Sequence, residues 1–219
     1  MWRRLALGLL VLLLAACAPA DGSFRHLQSV SVPLNGRSAA SLEVRLSAEQ
    51  VRVKVADTGD ELLRAAVRRG DGSPSTTVIG DDVTLAATGT EFELTLSNRV
   101  RWSLTFSGGA SGITADLRGA RVVSLDVPAG ISRADVWLPS PTGESTAALS
   151  GVGTATIYLP PSVPTRLTCR SGGGTVTVDG VETTGVPAGR VWTPAGWEGA
   201  ADRYDLSVGG FGKLTLGRA

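Results

Sequence analysis

Histidine, cysteine, methionine and aromatic side chains are all scarce in this 219-residue chain, and each scarcity removes a class of chemistry. His26 is the only histidine, Met1 the only methionine, and Cys17 and Cys169 the only cysteines. One histidine, so few thiols and no dense acidic cluster cannot assemble a zinc or calcium ligand set, so neither a metal site nor a cofactor is expected. A catalytic thiol needs a basic partner, and His26 is distant in sequence from Cys169. Charge of one sign is missing too: 21 Lys and Arg oppose 20 Asp and Glu. That balance argues against the basic footprint of a nucleic-acid-binding protein or of a domain drawn to an anionic membrane surface. Aromatics make up only 5% of residues while glycine numbers 28, a turn-rich β composition with little room for long helices. Gly172-Gly173-Gly174 sits between two strand-like segments, not before a helix, so it does not read as a phosphate loop.

The N-terminus carries the one targeting signal. Arg3 and Arg4 precede an apolar run, Leu5 to Leu14, that is too short to span a bilayer comfortably. Leu14-Ala15-Ala16-Cys17 resembles the lipobox of bacterial lipoprotein signal peptides. That resemblance implies cleavage before Cys17, diacylglycerol on its sulfur and acylation of the new amino terminus, which together anchor firmly. A lipidated Cys17 cannot pair with Cys169, so no disulfide framework is expected. The expected location is the extracytoplasmic side of the cell membrane, or an outer membrane where the cell has one.

What the chain has in abundance is a repeat of twenty-one residues. Gly109, Gly130, Gly151 and Gly172 form one column, and Phe106, Val127, Ala148 and Cys169 another. Beyond each glycine, Ile113, Ala134, Ala155 and Val176 keep step, as do Ala115, Val136, Ile157 and Val178. Leu117, Leu138 and Leu159 form a further column that ends at Gly180. Alternation with period two inside a fixed period near twenty is the pattern of a β-solenoid. The expectation is an all-β, single-stranded β-solenoid with two short strands per coil, capped at both ends. One coil cannot bury enough to stand alone, so stacking must supply the stability. The column glycines suit positive φ or a close approach between coils, and Cys169 falls on an inward column as a small buried hydrophobe.

The organisation follows in order. Residues 1–16 form the signal peptide, 17–28 the lipidated cysteine and tether, and 29–219 the solenoid domain. Val30 to Leu34 reads as an edge strand, Pro33 being tolerable only there. Leu42, Val44, Leu46 and then Val51, Val53, Val55 read as an opening coil. Glu61 to Arg69 fits a short helix or a strand, and its all-strand surroundings favour the strand. The repeat core runs over 83–180, an insertion with Trp192 and Trp197 over 181–202, and a C-terminal closing coil over 203–217.

The same phase gives the outward positions. Thr95, Asp116, Trp137, Tyr158 and Asp179 share one outward column; Glu93, Thr114, Asp135, Thr156 and Thr177 share the next; Thr105, Asp126, Ala147 and Thr168 a third. Asp116 and Asp135 on adjacent coils could serve glycoside hydrolysis in principle, yet scattered Asp among Thr is what a solvated solenoid face looks like. No catalytic residue is assigned, and the chain is read as no enzyme. Trp137 beside Tyr158 is the candidate partner-binding feature, since paired outward aromatics are common at interfaces. The alternative is that the 181–202 insertion covers them with its own tryptophans.

Trp102, Leu104-Thr105-Phe106-Ser107-Gly108-Gly109, Ala115-Asp116-Leu117-Arg118-Gly119, and Ala134-Asp135-Val136-Trp137-Leu138-Pro139 together resemble the toastrack domain. So does the later Val191-Trp192-Thr193-Pro194-Ala195-Gly196-Trp197 segment. This is the extracytoplasmic β-solenoid of LiaF-like, cell-wall-active antibiotic response proteins. The resemblance spans roughly residues 30–217. It implies a stress-response or interaction module whose partners are envelope membrane proteins or cell-wall components, here attached to the membrane by a lipid. An adhesin-like module binding a polymer is the alternative, and an enzyme acting on envelope polysaccharide a third reading.

Overall fold

The computed structural model describes residues 28–219; the signal-peptide, Cys17 and His26 readings lie outside the described residues. Thirteen strands run in order: β1 (Gln28–Pro33), β2 (Ala39–Ala56), β3 (Glu61–Arg69), β4 (Ser75–Ile79), β5 (Asp82–Ser97), β6 (Arg101–Asp116) and β7 (Arg121–Trp137). They continue as β8 (Glu144–Leu159), β9 (Thr165–Cys169), β10 (Gly173–Val178), β11 (Val181–Val186), β12 (Arg190–Trp192) and β13 (Arg203–Arg218). The expected all-β solenoid is what forms.

Six long strands, β5, β2, β6, β7, β8 and β13, lie parallel in that spatial order. Each is one coil bent near its middle. In β7, β8 and β13 buried positions step by two along each half, then by three or four across the bend: Val127, Ile131, Ala134; Leu149, Val152, Ala155; Val208, Phe211, Leu214. A straight strand would send its two halves' side chains to opposite faces after an odd step. The longer steps turn a corner instead, so both halves face one interior.

The result is two facing layers. The first halves run β4, β5, β2, β6, β7, β8, β13, β9, β12; the second halves run β1, β3, β5, β2, β6, β7, β8, β13, β10, β11. Antiparallel strands close both ends: β4 and β3 on β5, then β1, and at the far end β11 on β10 and β12 on β9. Pro33 ends an edge strand, where no neighbour needs its missing N–H. Glu61–Arg69 is a strand with Leu63, Ala65 and Val67 buried.

The second-half columns hold, with extra members. Ile113, Ala134 and Ala155 are followed by Leu214 before Val176, and Ala115, Val136 and Ile157 by Leu216 before Val178. Spatial order departs from chain order at both ends. β2 lies between β5 and β6, not at the opening of the stack, and β13 lies between β8 and β10, not at its close.

Two expectations need correction. Val127 pairs with Leu149, and Ala148 pairs with Asp126 on the outward side; Ala147, expected outward, is buried. Six residues, 138–143, connect Trp137 to β8 against four, 117–120, from Asp116 to β7, and the first halves of β7 and β8 are offset by 22 residues; the irregularity between Val127 and Gly130 brings their second halves back to 21. A slip of one residue exchanges the two faces of a strand. The true row is Phe106, Val127, Leu149, Val208, Cys169.

The second correction concerns glycine. Gly172 meets the expectation, with a φ of 78° and a Cβ that would stand 2.7 Å from the Val186 carbonyl oxygen, but Gly109, Gly130 and Gly151 have no left-handed φ, and a Cβ on any of them meets nothing within 4 Å. The crowded positions are their neighbours. A Cβ on Gly153 would stand 2.6 Å from the Ser132 carbonyl oxygen, and one on Gly212 2.6 Å from that of Gly153. Coils approach closely along this line, and closer still at Gly108 and Gly209, where a Cβ would stand 2.1 Å from the Leu46 carbonyl oxygen and 1.9 Å from that of Ser150.

Candidate interaction surface

Val136 and Ile157 point into the core, so the next residue along each strand, Trp137 and Tyr158, points out. β7 and β8 are direct neighbours and pair these two residues. Their rings lie 4.5 Å apart between centroids and 7° from parallel. Strand spacing of about 4.8 Å matches ring-stacking distance, which is why two aromatics in one outward row stack. Both are half-buried.

Asp116 flanks Trp137 on β6, and Gly217 flanks Tyr158 on β13. The Arg118 guanidinium grips Asp116 with two bonds, Nε to Oδ1 at 2.9 Å and Nη2 to Oδ2 at 2.6 Å. Those hydrogen bonds hold the Asp116 carboxyl below the usual carboxylate range. A general acid must carry a proton at working pH, so Asp116 is unsuited to that role. Asp135 lies one outward row away, between Thr114 and Thr156. Toward the N-terminal end of the same face, Glu93 is shared by Lys54 and Arg68.

The 181–202 segment is built into the C-terminal end of the stack. β11 pairs with β10 and β12 with β9. Trp197 is buried against the first-half layer, its Nε1 donating to the Tyr204 carbonyl oxygen at 2.9 Å. The guanidinium carbons of Arg166 and Arg203 stand 3.9 Å and 4.7 Å from its ring centre. Asp205 pairs with Arg166 and Glu144 with Arg203. Thus Trp197 serves the layer opposite the one that carries Trp137 and Tyr158. A tryptophan-bearing segment after the repeat is a natural candidate to pack against the stack, as Trp197 does, but strand alternation says nothing about which layer it covers or which arginines flank it.

Cys169 is fully buried, and burial pushes its thiol above the usual range. It sits beside Val208 as part of the core. Among the described residues, no group of three or more His, Cys, Asp or Glu is arranged to hold a metal ion, and no helix is long and apolar enough to cross a membrane.

Comparison with curated proteins gives no match. Among solved structures, a protein from Clostridium sporogenes described as a cell adhesion protein aligns with a TM-score of 0.71 at 16% identity, covering 88% of this chain and 99% of its own. One from Bacteroides fragilis described as an adhesin covers 88% of this chain and 97% of its own at 10% identity, but with a TM-score of only 0.28. The first likeness shows a shared fold. The family model for the N-terminal domain of toast_rack (DUF2154) matches residues 21–158, well over half the chain, and this protein therefore belongs to the toast_rack family.

Proposed function

We propose that this chain is a non-enzymatic interaction module of the cell envelope, held to the membrane by lipid on Cys17 and engaging its partner through the second-half layer around Trp137 and Tyr158. The observation that carries the reading is the stacked aromatic pair on the outside of a rigid scaffold, clear of the loop tryptophan that clamps the opposite layer. Large aromatics on an outward face are what interfaces are enriched in. The lipobox-like Leu14 to Cys17 supports the anchor, and family membership supports an extracytoplasmic role in envelope stress response.

An adhesin-like role is the second reading, favoured by the likeness to the clostridial structure described as a cell adhesion protein. In both, the stack presents a partner surface and performs no bond chemistry.

The test is retention on isolated envelopes of the protein without its lipid, residues 18–219, and of variants made in it, so that only the partner surface can hold them. The unsubstituted chain and an Arg121→Glu control on the opposite layer are expected to stay bound, whereas the Trp137→Ala, Tyr158→Ala double variant elutes. Equal retention of the double variant overturns the surface assignment. For the anchor, radiolabelled palmitate should enter wild type and not Cys17→Ala; label in both, or in neither, overturns it.

A further inference from the structure

The partner surface has a shape and a charge that narrow its ligand. One face of the Tyr158 ring is taken by Trp137. On the other side, the paired residue of β13 is Gly217, which has no side chain to set against the ring. Its φ is not left-handed, and a Cβ there would stand 3.5 Å from Tyr158 Cδ1, an ordinary contact. Neither backbone strain nor crowding requires glycine at this position. Its effect is to leave the second face of Tyr158 open as a slot about one strand spacing wide.

Around that slot the outward rows are short hydroxyls and then cations. Thr156, Thr215 and Thr177 form the next row on β8, β13 and β10. The row after it is Arg133, Thr154, Lys213 and Thr175. Arg133 and Lys213 are exposed, and neither makes an ion pair among the described residues. They flank Thr154 about 10 Å apart, and about 13 Å along the strand from Tyr158. Of the carboxylates bordering the slot, Asp116 is held by Arg118 and Asp179 by Arg218, while Glu182, unpaired among the described residues, stands beside Thr177 at the far end of the threonine row, two strands beyond Lys213. Asp135 lies beside Arg133 on β7, which leaves the positive field strongest toward Lys213.

We infer that this face binds an acidic polysaccharide, one sugar ring stacking in the Gly217 slot against Tyr158 and an acidic group further along the chain meeting Lys213 and Arg133. A pyranose offers an apolar C–H face to an aromatic ring and hydroxyls at its edge. Threonine hydroxyls, each both donor and acceptor, match that edge. Two unpaired cations at the distance of a two- to three-residue glycan span supply the complementary charge. This inference rests on the partner surface proposed above and names its ligand class.

The experiment is calorimetric titration of the full-length protein with polygalacturonate oligosaccharides, and with neutral dextran oligosaccharides of the same length. Polygalacturonate is expected to bind and dextran to bind at least tenfold more weakly. Gly217→Val fills the slot with a residue that strands favour, and should weaken binding at least tenfold with an unchanged circular dichroism spectrum. Arg133→Glu with Lys213→Glu should weaken binding at least tenfold and flatten its salt dependence, while Arg121→Glu on the opposite layer leaves it unchanged. Equal affinity for dextran, no binding of polygalacturonate, or full binding by the Gly217→Val protein overturns the inference. Should the Trp137→Ala, Tyr158→Ala protein still lose envelope retention in that case, the surface stands and the acidic sugar alone is refuted.

Discussion

Val208 lies directly between Leu149 and Cys169, although Leu149 and Cys169 are on successive passes of the chain and Val208 comes from its last strand. The final strand is therefore a wedge in the middle of the stack, hydrogen-bonded to β8 on one side and to β9 and β10 on the other. Tyr204, Leu206, Val208, Leu214 and Leu216 are all buried there. Removing 203–219 strips partners from three strands and opens the core, whereas loss of a true end coil would expose a single edge. The truncated chain is expected to lose its cooperative thermal transition by circular dichroism. A truncated chain that melts cooperatively with most of its strand signal intact contradicts the wedge.

The glycine contrast is directly measurable. Gly153→Ala drives a methyl into the Ser132 carbonyl and is expected to cost about 1–3 kcal/mol, as overpacking does. Gly130→Ala meets open space at an ordinary φ and should be neutral, or stabilise by about 0.4–1 kcal/mol through the unfolded chain. Denaturant melts of the two variants decide it; equal losses would contradict the assignment of close approach to Gly153.

The buried Tyr204 hydroxyl donates to the Pro139 carbonyl oxygen at 2.8 Å and ties β13 to the connection after β7. Tyr204→Phe leaves that carbonyl without this partner and is expected to cost about 1–3 kcal/mol. A loss below about 0.5 kcal/mol in urea melts would show that the bond contributes little.

Glu93 carries a pH signature. Hydrogen bonds from Lys54 first, and from Arg68, hold its carboxyl below the usual range. A depressed folded pKa adds stability that is present above the unfolded value, near 4.3, and is lost as pH falls through the folded value. Wild type should exceed Glu93→Gln in stability at pH 7, by up to about 1 kcal/mol for so open a network. The gap should close as the pH drops below about 4. A gap that is constant from pH 7 to pH 2 would assign the effect to packing instead.

Cys169 reports on the core. In a Cys17→Ala chain, a thiol reagent should leave Cys169 unmodified in buffer and react with it in denaturant, because the thiol is fully buried and its pKa raised. Prompt labelling of the folded protein would place Cys169 outside the row it shares with Val208.

Much of this fold is legible in the sequence, for a physical reason. Ile113, Ala134, Ala155 and Val176 reveal their shared wall because stacking forces inward residues to repeat at the coil length, and the same phase exposes Trp137 and Tyr158 as outward neighbours. Positions 147 and 148 defeat the reading because both are alanine, and a one-residue slip between identical side chains leaves no hydrophobic contrast. The places of β2 and β13 are hidden for a different reason: any strand with the right alternation can enter a parallel stack, so the pattern specifies which residues face in but not which coil lies beside which. The β10–β11 hairpin did have a signal. Asp179 and Gly180, both with positive φ, form the two-residue Asp-Gly turn that such hairpins prefer, and periodicity alone reads Gly180 merely as a column's end. Of the partner surface, the aromatic pair is visible in the sequence. The opening beside it is not, because Gly217 becomes the neighbour of Tyr158 only through the wedge.

The most direct test of the account is photo-crosslinking in living cells from two positions on opposite layers, a benzophenone amino acid in place of Tyr158 or of Asp126. A defined adduct is expected from position 158 and none above background from position 126. Adducts of equal yield from both layers, or adducts from position 126 alone, would contradict it.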